Sequence, residues 1–173
     1  MSQAENKVKW CLNKAKKELE ENKKHRGLIE KKTDIGDARK HIEKAEHNLK
    51  AISYFNEGGF SDWSMSAVFY CIYQCFLAIA SKFGYESRNQ ECTIALMRYL
   101  KEQNKIEMDN EFIDALESTD EQARHETNII EKREFYTYGT TISVRNKEIE
   151  EAIELCKKCL HETQDIVFEI DTK

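Results

Sequence analysis

An all-α bundle follows from three features of this sequence. It contains no proline and only six glycines in 173 residues, so few positions interrupt a helix. Apolar residues recur at steps of three and four in several stretches separated by short polar turns. One stretch, Ser61 to Phe83, carries no charged side chain from Trp63 to Ser81, which marks a helix apolar nearly all round and therefore buried. A chain of this length is usual for one domain and can enclose a proper core.

Taken in order, Val8, Leu12, Ala15 and Leu19 lay one modest seam on a solvated helix from Lys7 to about Lys24. Its lysines are interleaved with Glu18, Glu20 and Glu21, a poor pattern for a nucleic-acid patch. Gly27 and the KKTDIG run break it. Ala38, Ile42, Ala45, Leu49 and Ile52 predict a second helix from Asp37 to Asn56, closed by Glu57-Gly58-Gly59. Ser61 or Asp62 can cap the apolar helix that follows, which makes the pair a helical hairpin.

After Gly84, a short loop leads to a helix over about Gln90 to Glu102, capped by Ser87 or Asn89, with Cys92, Leu96, Tyr99 and Leu100 inward. A further helix starts near Asp109 with Phe112, Ile113 and Leu116, breaks or kinks at Ser118-Thr119-Asp120, and resumes with Ala123 and Ile130. The aromatic and β-branched run from Arg133 to Ser143 reads as an ordered turn. The last helix, about Lys147 to Phe168, has the cleanest seam: Ile149, Ile153, Cys156, Leu160, Thr163 and Val167.

The formal charge of -5 disfavours broad electrostatic capture of nucleic acid, so any RNA contact is local. Six cysteines without a recognisable signal peptide read as reduced thiols in a cytoplasmic protein, with no disulfide framework. The uncharged run is long enough for a bilayer, yet it holds Ser64, Ser66, Gln74 and Ser81, and no other segment could join it, so no membrane association is expected. Cys156 and Cys159 lie within a helix and lack a second pair at zinc spacing, and His41, His47, His125 and His161 show no paired Glu-x-x-His pattern. No metal and no other cofactor is expected.

On the apolar helix, Asp62, Ser66, Tyr70 and Tyr73 fall in one narrow stripe with Gln74 at its edge. Either neighbours satisfy these groups or the stripe faces a cleft or a partner. Arg133, followed by Phe135, Tyr136 and Tyr138, could neutralise a phosphate beside that stripe while tyrosines stack on bases. The competing structural role for Arg133 is a bridge to a carboxylate such as Asp62.

The order of these features resembles a known family. KAEHNLKAISYFNEGGFSDWSMSAVFYCIYQCFLAIASKFGYES, then TIALMRYL, then REFYTYG before a final amphipathic helix, is similar to HEPN-domain proteins of the UPF0332-like branch, over about Ile35 to Ile170. The resemblance implies a compact bundle of four to five helices at 35–173, with residues 1–34 adding a charged N-terminal helix and turn. It also implies a two-fold homodimer, a prokaryotic toxin-antitoxin or defence role, and a nucleotidyltransferase-type antitoxin as partner. Active members resemble one another in a metal-independent ribonuclease motif, Arg-x4-6-His, which arginine and histidine serve as charge stabiliser and proton carrier.

Arg133 stands at the arginine position, but Tyr138 and Gly139 stand where the histidine should follow. Gln74 and Gln90 occupy two other positions where the same branch often has histidine. A phenol of unperturbed pKa about 10 is a weak base at neutral pH, and an amide is none. The resemblance thus implies an RNA- or nucleotide-binding interaction module that uses Asp62, Ser66, Tyr70, Tyr73, Gln74, Arg133 and Tyr136. The alternative is an endoribonuclease in which Arg133 acts with Tyr138 or His125.

Overall fold

The computed structural model describes residues 1–117 and 128–169. Among these, the helices are α1 (Gln3–Glu20), α2 (Ile35–Glu57), α3 (Ser61–Lys82), α4 (Gln90–Glu102), α5 (Asn110–Leu116), α6 (Ile129–Tyr138) and α7 (Asn146–Phe168). Two three-residue strands, β1 (Leu28–Glu30) and β2 (Tyr85–Ser87), pair antiparallel with Leu28 opposite Ser87 and Glu30 opposite Tyr85. The bundle is all-α in class, with this small ribbon fastening one end.

α3 is the axis. It packs on α2, α7, α6, α4 and α5, and Phe76, Ile72, Ile79, Val68 and Cys75 are fully enclosed. Each large apolar side chain so buried contributes about 1.5 to 3 kcal/mol, which is why the uncharged run sits in the centre. By length and composition α3 would also qualify as a membrane span, yet 72% of the qualifying window is buried inside the bundle. Its interior hydroxyls are satisfied: Ser64 donates to the Ile52 carbonyl at 2.9 Å and Ser81 to Asp37 Oδ2 at 2.8 Å.

Side-chain caps set several boundaries. Ser2, Asp34, Asn89, Asp109 and Asn128 each accept from a backbone N–H in the first turn of α1, α2, α4, α5 and α6. α3 differs from expectation: its N-cap is Phe60, without a side-chain bond, because Ser61 Oγ accepts from the buried Val144 N–H at 2.9 Å. That bond fastens the approach to α7 onto the start of α3. The expected ordered turn from Arg133 to Ser143 is also corrected, since Arg133 to Tyr138 continue α6 and only the residues from Gly139 onward leave the helix. The expected break at residues 118–120 lies outside the described residues.

The expectation of six reduced cysteines is overturned: Cys11 and Cys92 form a disulfide that joins α1 to α4. Cys71, Cys75, Cys156 and Cys159 are free thiols, all fully buried between α3 and α7. α1 packs with Ala4, Val8, Cys11 and Ala15, while Leu19 stays half exposed, so its seam is rotated from the expected one toward small side chains. The reason is close approach: a Cβ on Gly27 would come within 2.4 Å of the Cys11 carbonyl oxygen. Gly84 performs the corresponding service at the ribbon, with φ +77° and its missing Cβ 2.7 Å from the Lys31 carbonyl oxygen.

Candidate functional site

Asn128 defines the start of α6, accepting from Ile130 N at 2.9 Å and donating to the carbonyls of Asp114 and Glu117. Ile129 and Ile130 are buried, and Arg133, one turn beyond Ile130, therefore meets α3. Its guanidinium carbon lies 4.3 Å from the Phe69 ring centroid. The Tyr73 ring stacks with Phe69 at 5.9 Å and 17°, and the Tyr70 ring meets Phe69 edge-on at 5.1 Å and 87°. A further turn along, Thr137 and Ser66 bring their hydroxyls to 3.3 Å.

Arg133 is held by its face rather than by an acid. The ring quadrupole attracts the flat cation, and that stacking leaves the in-plane N–H donors for other acceptors. Among the described residues its one ion-pair contact is Glu134 at 3.8 Å, and its buried Nε has no hydrogen-bond partner. Asp62, in the first turn of α3, makes no ion pair with it. Arg133 thus meets the Phe69 ring that Tyr70 and Tyr73 also touch, Ser66 meets α6 through Thr137, and Asp62 makes no ion pair with Arg133.

The other expected site residues have separate surroundings. Gln74 Oε1 lies 2.7 Å from His41 Nδ1, and His41 Nε2 lies 3.7 Å from Asp37 Oδ2. Asp37 also accepts from Ser81 and, at 3.4 Å, from Lys31; the Ser81 hydrogen bond above all holds its carboxyl below the usual range. Tyr136 faces a cavity of about 570 Å³ lined by Lys132, Phe135, Ser143, Arg145 and Glu148. Burial and the nearby Glu148 push its phenol up. Burial pushes Glu148 up too, but hydrogen bonds from Lys132 at 3.1 Å and Arg145 at 3.4 Å outweigh it and hold the carboxyl low. Tyr138, the last residue of α6, is 84% exposed.

Tyr73 is the phenol most tied to the fold. Its hydroxyl lies 3.3 Å from Thr93 Oγ1, and burial pushes its pKa up. Gln90, at the other position where an imidazole was expected, donates to the Leu116 carbonyl at 3.3 Å. Among the described residues no hydrogen bond or ion pair joins a histidine to Arg133, and His125 lies outside them. No group of three or more His, Cys, Asp or Glu side chains among the described residues is placed to hold a metal ion. Phe69, Thr93, Thr137 and His41 are the site neighbours the sequence reading missed. The i,i+4 spacing of Phe69 and Tyr73, and of Asp37 and His41, is the signal that could have found two of them.

The arrangement offers a cation over the Phe69 ring, which Tyr73 stacks on and the half-exposed Tyr70 meets edge-on. A family model described as HEPN domain matches residues 38–166. No curated protein matches the chain. The family match begins within α2 and ends within α7, so it encloses the α3–α6 site and leaves α1 and β1 outside.

Proposed function

Since this chain belongs to the HEPN-domain family, we propose that it is an RNA- or nucleotide-binding module of the UPF0332-like branch in which the usual catalytic histidine is replaced. The observation that carries the reading is Arg133, a partly exposed cation over the Phe69 ring whose one ion-pair contact among the described residues is the exposed Glu134 at 3.8 Å. A phosphate oxygen can approach the exposed part of the guanidinium, and Tyr70, 45% exposed, supplies a face on which a base can stack. Ser66, which meets Thr137 of α6, is the nearest further polar group; the reading also assigns binding to Asp62, Tyr73, Gln74 and Tyr136, whose present contacts lie elsewhere.

The same reading makes the protein a cytoplasmic homodimer of toxin-antitoxin or defence type, with a nucleotidyltransferase-type antitoxin as its protein partner. Trp63, 53% exposed, lies two turns from Tyr70 on the same side of α3, and a second copy would cover that apolar surface. The ribonuclease reading ranks second. It needs a proton acceptor at Arg133, and the solvated Tyr138 at the end of α6 is a weak one.

Binding of a fluorescein-labelled single-stranded RNA, followed by anisotropy, tests the role of Arg133. Arg133→Ala removes a charge-assisted hydrogen bond, and affinity is expected to fall about ten- to 150-fold, or roughly 1.5 to 3 kcal/mol. Unchanged affinity in a folded variant contradicts the assignment.

A further inference from the structure

The helix that lies outside the family match is fixed to the bundle by the one disulfide among the described residues, Cys11–Cys92. The rest of its attachment is packing of small side chains on α4, β1 and the close-lying Gly27, with a hydrogen bond from Arg26 N–H to Glu18. α1 buries Ala4, Val8, Cys11 and Ala15, among which only Val8 is a sizeable aliphatic side chain. Its polar ties to α4 are Lys7 to Glu91 at 2.9 Å and the Ser2 hydroxyl to Glu102, both between exposed side chains and so of small worth. A cavity of about 670 Å³ lies between the two helices, lined by Gln3, Lys7, Glu91, Arg98 and Glu102 among others, so the seam is not closely filled.

We propose that Cys11–Cys92 is a redox latch, and that its reduction releases α1 from α4. A dithiol reductant supplies the two electrons and two protons: the S–S bond breaks, two thiols form, and the reductant closes its own disulfide. Both cysteines are fully buried, so exchange proceeds when α1 lifts locally, and a reduced α1 no longer has a covalent reason to return. β1 stays paired with β2, because the ribbon and its flanking hydrogen bonds, Lys31 N–H to the Gly84 carbonyl at 2.8 Å and Arg88 N–H to the Gly27 carbonyl at 3.0 Å, do not involve α1. The release has a route to the Arg133 site: Cys92 adjoins Thr93, whose hydroxyl meets Tyr73. The latch itself does not depend on what that site binds.

Hydrogen exchange read by mass spectrometry tests it on the full chain. Protein purified without reductant is expected to yield a linked peptide pair containing Cys11 and Cys92. After reduction, the α1 amides should exchange about tenfold faster or more, while those of α3 and α7 change by less than about twofold. The Cys11→Ser/Cys92→Ser variant should match the reduced protein under both conditions, which separates the latch from other effects of reductant. Equal α1 protection in oxidised and reduced protein overturns the proposal, as does the absence of the linked pair.

Discussion

Arg133 shows how one residue can be read two ways and decided by its neighbours. Had it paired a buried carboxylate, truncation would strand that charge and cost roughly 3 to 5 kcal/mol. Its partner is instead the Phe69 ring, with a distant contact to the exposed Glu134. Arg133→Ala should therefore lower stability by only about 1 kcal/mol, the order of a cation–π contact. A thermal melt with early unfolding by several kcal/mol would mark the residue as structural. Asp37 gives a pH dependence whose sign follows from its partners. Ser81 chiefly, with His41 and Lys31, holds the folded carboxyl below its unfolded value of about 4. The unfolded chain then binds the proton more readily, so this stabilisation is complete above roughly pH 4 and is lost as pH falls through the lower folded pKa. Asp37→Asn should flatten the stability profile on the acid side, as urea midpoints between pH 2 and 5 would reveal.

The elements differ in how openly the sequence announces them. α3, α4 and α7 could be read with little error, because long apolar runs and an asparagine cap are local signals. The β1–β2 ribbon could not, since its register depends on contacts across some fifty residues and on the left-handed Gly84. The pairing of Cys11 with Cys92 was hidden for a related reason: it spans 81 residues and depends on how α1 settles on α4. Arg133 and the α3 stripe could be picked out as candidates, but that Arg133 meets the Phe69 ring, and Ser66 meets Thr137, depends on the crossing of α3 and α6, which no local pattern gives. At the α3–α7 seam, Cys156 Sγ lies 3.8 Å from the Val68 carbonyl, and Cys156 is the hydrogen-bond partner that chiefly pushes the Cys71 thiol up. Cys156→Ser places a hydroxyl in this apolar seam and should cost about 1 to 3 kcal/mol without changing metal content. Stoichiometric zinc in the wild-type protein would contradict that.

At the scale of the whole molecule, a central helix that is buried on most sides keeps one wet face, and the aromatic residues on it set the expected assembly. Trp63, Tyr70 and Tyr138 are all substantially exposed on α3 and α6. Light scattering should give a dimer mass across a range of concentrations; a constant monomer mass would leave these side chains without the proposed cover. We propose that this HEPN-domain protein holds RNA or nucleotide at Arg133 without cutting it, since no histidine among the described residues is joined to Arg133. The most direct measurement incubates purified protein with labelled single-stranded RNA in excess chelator and reads both the complex and the length of the RNA. A retained complex with full-length RNA is expected. Shortened RNA, produced by the wild-type protein and not by Arg133→Ala, would contradict it and make the protein a metal-independent ribonuclease.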